Sequence, residues 1–133
     1  MNNIEGDLNF GTGKVVCNKL LKRTTTVIKT LSGVTTLTAD ELLSGSVSLV
    51  SNNVSLVNAI LSFPSSADIV SVMGTNAKVG VGFSFIVQVV SNGINTQGVS
   101  LTSSNIRIDI PVSKSKKVIC VVSNLSPPTV EFF

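Results

Sequence analysis

The stretch Val79 to Val90, VGVGFSFIVQVV, constrains the fold more than any other part of the chain, because it carries no charge and both of its faces are apolar or small. Strand alternation puts Val79, Val81, Phe83, Phe85, Val87 and Val89 on one side, and Gly80, Gly82, Ser84, Ile86, Gln88 and Val90 on the other. The first side is a core face. The second starts with residues too small to cover anything, which suits a place where another backbone, a short helix or a neighbouring subunit comes close. Such a strand is central in its sheet and covered on both sides.

The rest of the chain supports a sheet rather than a bundle. β-Branched residues dominate while Ala, Glu and Lys are scarce, so intrinsic preference favours strands. The 133 residues are one domain's worth and enough to bury a core. Only 13% of residues are charged, and Ser, Thr, Asn and Gly fill much of the remainder. Charge normally keeps proteins apart, so a neutral, hydroxyl-rich surface points to a chain packed against its own copies or against something larger.

Along the chain, residues 1–23 read as a polar, Gly-punctuated arm or first strand, and 24–133 as a single β-sandwich domain. TTTVIKTL is strand-like and closed by Gly33. Thr38 followed by Glu41 is a capping box, with Gly45 as the stop, and Ser65 followed by Asp68 opens a second short helix that ends at Gly74. SVSLVS and VSLVNAILSF alternate around Asn52-Asn53, as two hairpin strands would. NIRIDI places Ile106, Ile108 and Ile110 inward and Arg107 and Asp109 outward. About eight short strands with two short helical turns are expected, in an all-β, antiparallel, jelly-roll-like sandwich.

Reactive chemistry finds little to stand on. With no His, the common nucleophile triads cannot be built, and no motif supports a Ser-Lys dyad. GTGKV at 11–15 lacks the earlier Gly of a phosphate loop, and Val15 stands where a Ser or Thr would hold magnesium. Asp40, Glu41 and Asp68 are explained as helix N-terminal charges. Cys17 and Cys120 are isolated, so no metal site is expected and both read as free buried thiols, a disulfide requiring an oxidising compartment. No catalytic, metal or cofactor site is therefore expected. The sequons at Asn53 and Asn124 carry no weight without a secretory signal, and MNNIEGDLNF has acids where a basic leader would begin. Uncharged runs at 42–67 and 79–106 are broken by Asn52, Asn53, Asn58, Asn92 and Asn95, which argues against a membrane helix.

Several of these residues also form a larger pattern. Thr36-Leu37-Thr38-Ala39 with Leu42, Leu43 and Gly45, then Phe63-Pro64 with Ala67 and Ile69-Val70, then Val79-Gly80, Phe83, Phe85, Val87 and Asn92-Gly93 follow in order. The closing VICVVSNLSPPTVEFF adds a hydrophobic run, a turn and a final apolar strand. Over residues 31–133 this resembles virion structural proteins of large double-stranded DNA viruses. The resemblance implies a compact sandwich that forms a homotrimer and decorates, caps or cements a capsid, or forms a fibre head, with other capsid proteins as partners. It implies a location in the virion after synthesis in the host cytoplasm.

A three-fold assembly would bring one neutral face of each subunit to a shared axis without burying unpaired charge. The interface candidates are Phe83 and Phe85, or the opposite Gly80, Gly82 and Ser84, with Phe132 and Phe133 sealing an end; the alternative for the Phe pair is intramolecular core. Lys14, Lys19, Lys22 and Arg23 are the candidates for capsid contact. A receptor- or glycan-binding sandwich is the alternative, although sugar sites usually stack on Trp or Tyr and the chain has neither. A single-stranded nucleic-acid binder would use the Lys clusters, yet the aromatics are six Phe and four of these sit in apolar or terminal contexts.

Overall fold

A computed structural model of the chain describes residues 2–9, 16–22, 25–91, 93–102 and 106–133. These form two facing sheets. The larger contains β1 (Asn2–Asn9), β2 (Val16–Lys22), β3 (Thr25–Thr30), β5 (Gly45–Val50), β7 (Val81–Val90), β10 (Ser115–Leu125) and β11 (Pro128–Phe132). The smaller contains β4 (Val34–Thr36), β6 (Ala59–Ser62), β8 (Val99–Thr102) and β9 (Arg107–Ile110), in the order β4-β6-β8-β9. Two helices, α1 (Ala39–Leu43) and α2 (Ser66–Met73), complete the fold.

From β3 to β8, consecutive strands alternate between the sheets, and each of β5 to β8 runs parallel to its predecessor in the same sheet. β3 pairs with β5 and β5 with β7, while β4 pairs with β6 and β6 with β8, all parallel. The chain therefore winds through three stacked rungs, β3/β4, β5/β6 and β7/β8. Antiparallel strands finish the third rung: β9 lies on β8, β10 on β7, and β11 folds back on β10.

This corrects the antiparallel, jelly-roll expectation, since both sheets are mixed and the described residues contain eleven strands rather than about eight. Period-two alternation reveals that a segment is a strand and which residues share a face, but it is blind to the direction of the neighbour. The Asn52-Asn53 hairpin is corrected for the same reason: β5 and β6 lie in different sheets, and residues 51–58 are the loop that crosses between them.

Parallel neighbours need long crossovers, and here each crossover holds a strand of the opposite sheet, with a helix added at one end. The helices begin where the sequence signals them. Thr38 Oγ1 accepts from the Glu41 N–H while the Glu41 carboxylate accepts from the Thr38 N–H, and Ser65 accepts from the Asp68 N–H. Gly45 (φ 95°) and Gly74 (φ 62°) turn the chain out of the helices in conformations that disfavour a side chain.

The core lies between the sheets and beneath the helices. Val81, Phe83, Phe85, Val87 and Val89 line it from β7, with Leu37, Leu42, Leu49, Ile69, Val99, Ile110 and Val118 closing around them. Phe63 meets Phe85 edge to face at 5.5 Å between ring centres and tilts against Phe132 at 4.9 Å. Ile108 and Ile110 point inward and Arg107 and Asp109 outward, as the alternation of NIRIDI requires.

Candidate interaction surfaces

β7 occupies the middle of the larger sheet, and its two edges explain its composition. One edge carries β10 along its length, with Gly82 opposite Val121 and Phe85 opposite Val118. The other edge is shared: β2 pairs with Val81–Phe83 and β5 with Ile86–Val90. Near the β2 end, Gly80, Gly82 and Ser84 are all buried. A β-carbon on Gly82 would run into the carbonyl oxygen of Cys120 and lie 3.1 Å from a γ-methyl of Val121. The close approach expected at the small face is thus made by the neighbouring strand of the same chain. Farther along, the same face opens, and Ile86 is exposed beside Gln88, whose amide donates to Ser48 at 3.2 Å.

The expected interface residues are distributed accordingly. Phe83, Phe85 and Phe132 are buried within one subunit, and Phe133 extends the last hairpin by exchanging backbone hydrogen bonds with Ile119 at 2.8 and 3.0 Å. Val79, assigned by alternation to the core face, is exposed, because Gly80 turns with φ 88° and the strand begins only at Val81. Lys19 and Lys22 lie on β2, which forms a hairpin with β1; Lys14, Arg23 and the GTGKV turn fall outside the described residues. Cys120 is a buried free thiol, held well above the ordinary thiol range by burial.

The sequence motifs did not single out the loop end. The loops at 51–58 and 93–98 are cross-linked: Ser51 donates to the Gln97 carbonyl at 2.8 Å, Asn95 donates to the Ser51 carbonyl at 3.0 Å, and the backbone N–H groups of Thr96 and Gln97 both donate to Asn53. Gln97 in turn donates to the Val57 carbonyl at 3.1 Å. This ordered frame holds aliphatic side chains in solvent. Leu56 is 100% exposed, and Val54, Val57 and Ile94 are at least two-thirds exposed. On the outer side of the smaller sheet, Val34 and Ile60 are a direct cross-strand pair, both more than half exposed. In the sequence, VSLV reads as strand, so its exposure at a loop tip had no signal of its own.

At the opposite, helical end, Lys29 reaches from β3 to Glu41 at 3.1 Å and donates to the Thr36 carbonyl at 2.8 Å. Burial pushes the Glu41 carboxyl up, but the Thr38 N–H and the Lys29 ammonium outweigh it and leave the group below its ordinary value of 4.5. Beyond the last paired residues of β6 and β8, Ile60 and Ser100, lies a cleft of about 600 Å³ lined by Ser62, Ser65, Val130 and Phe132 among others. On the outer side of that sheet, Ser100 donates to Asp109 at 2.7 Å and accepts from Asn58 at 2.9 Å. These polar groups bond one another on the sheet surface, with the Ser100 hydroxyl held between the Asp109 carboxylate and the Asn58 amide. Among the described residues, no three of His, Cys, Asp and Glu could together hold a metal ion, and no helix is long and apolar enough to cross a membrane.

Comparison with family models, with curated proteins and with solved structures gives no match for this chain.

Proposed function

We propose that this chain is a non-enzymatic virion structural protein: a trimeric minor capsid, cap, cement or fibre-head component that decorates or stabilises a capsid through other capsid proteins. The observation that carries the reading is the surface at the loop end, where hydrogen-bonded loops hold Val54, Leu56, Val57 and Ile94 in solvent. Clustered aliphatic exposure on an ordered scaffold marks an interaction site, since a free monomer gains nothing from it. The scarcity of charge acts in the same direction, because little repulsion opposes packing against copies. The residues that resemble virion proteins also have defined work in the fold: Thr38 caps α1, Leu37, Leu42 and Ile69 are fully buried, and Phe83 and Phe85 fill the core.

The test is the solution mass of the purified chain by light scattering behind a sizing column, at low and high protein concentration. A mass of about three times 13.9 kDa that persists on dilution is the expected result. A monomer at every concentration would overturn the trimeric reading.

A further inference from the structure

The three rungs end differently on their two sides. On one side, β10 and β9 cover the third rung with antiparallel strands. On the other, among the described residues, β3 pairs only with β5 and β4 only with β6, so the first rung is an open edge in both sheets. Stacked-rung folds need a cap at each end, and natural edge strands are usually guarded by charge, proline or a bulge. Among the described residues, neither β3 nor β4 carries a proline or a bulge. β3 reads TTVIKT and β4 reads VTT, with Lys29 as their one ionisable residue. That lysine is occupied by Glu41 and by the Thr36 carbonyl, so it does not stand off an incoming strand. Thr25, Thr26, Ile28, Thr30 and Val34 are exposed along the edge.

The direction of the free backbone groups follows from the ladder. Leu31 N–H donates to the Val50 carbonyl at 2.8 Å, and parallel pairing alternates, so Thr25, Val27 and Lys29 face β5 while Thr26, Ile28 and Thr30 turn their N–H and C=O groups outward. We infer that this open β3/β4 rung is the self-association edge of the protein, taking a strand of a second copy of the chain as its fourth rung. A copy is the fitting occupant because the edge is neutral and hydroxyl-rich, like the β5 strand of GSVSLV that already covers its other side. The exposed Val34 and Ile60 pair, and the aliphatic loop at 51–58 that leads into β6, extend the contact beyond the nine edge residues, which alone fall short of the roughly 20–30 residues a side of a stable interface. The inference rests on the self-association reading above and names its surface.

Two variants test it by different routes. Thr26→Pro removes an outward N–H without touching the β5 ladder, and Ile28→Lys leaves the backbone intact but puts a free charge on the edge. Each is compared with the parent chain by light scattering, with far-UV circular dichroism and a thermal melt alongside. The expected result is a folded protein whose mass falls from a multiple of 13.9 kDa to 13.9 kDa in both variants. If the proline variant does not fold, the lysine variant decides alone. A parent oligomer that both folded variants retain would overturn the edge assignment and leave self-association standing, whereas a monomeric parent would remove both.

Discussion

Replacing Gly82 by alanine sets two effects of opposite sign against each other, and the structure says which wins. A Gly to Ala change in a compatible strand position stabilises by about 0.4–1 kcal/mol, because the unfolded chain loses freedom. At Gly82 the new methyl meets the carbonyl oxygen of Cys120 and comes within 3.3 Å of its carbonyl carbon; both are backbone atoms and cannot rotate away. The Val121 methyl at 3.1 Å belongs to a fully buried side chain, so it has no solvent to move into. Relief requires β7 and β10 to separate within a ladder that runs from Gly82–Val121 to Gln88–Ser115. Overpacking of this kind costs about 1–3 kcal/mol. The net expectation for Gly82→Ala is a loss of about 1–2 kcal/mol, taken as the difference between those two terms. Urea denaturation with m of about 1–3 kcal/mol/M would show it as a midpoint roughly 1 M lower at unchanged m. Gly33 is the control, since a β-carbon there meets nothing within 4 Å, and its alanine variant should hold or slightly raise the midpoint. A Gly82→Ala midpoint at or above that of the parent would refute the close approach of the two strands.

Four further outcomes follow from the same geometry. Phe85→Ala, which empties a site against Phe63 and Phe83 inside the core, should cost about 3–5 kcal/mol by denaturation; a loss under 1 kcal/mol would place the ring outside the core. Because Glu41 titrates below its ordinary 4.5 when folded, it contributes stability above that pH that is lost as the pH falls through the folded value. Glu41→Gln should therefore flatten the acid limb of a stability–pH curve, and an unchanged limb would refute the role of the capping box and Lys29. Thr38→Ala should lower stability by about 1 kcal/mol through loss of the cap, as read by thermal melt. In a Cys17→Ser background, Cys120 should react with an aromatic disulfide reagent only on unfolding, since burial keeps it a thiol; rapid labelling of the native protein would contradict its position.

How much of this was legible beforehand varies with the range of the interaction. Helix starts were readable because Thr38 with Glu41 and Ser65 with Asp68 act within four residues, and the terminating Gly45 and Gly74 adopt the positive φ that their type allows. The inward Ile108 and Ile110 and the alternating core face from Val81 to Val89 were readable because the side-chain period of a strand is fixed by its own backbone. Val79 failed for a local reason too, the turn at Gly80.

What only the tertiary structure decided is who lies beside whom. Val54 to Val57 has the residue types of a strand but crosses between sheets with no partner strand, so it became an exposed loop tip. Nothing in SVSLVS states that its neighbour runs parallel and comes from another rung, since the hydrogen bonds that settle direction join residues about 20 to 40 apart in sequence. The small face of β7 is the clearest case. Composition required that something come close to Gly82, and only the assembled sheet determined that it is the backbone of Cys120, because one chain's far end and its middle must meet before a glycine acquires a neighbour.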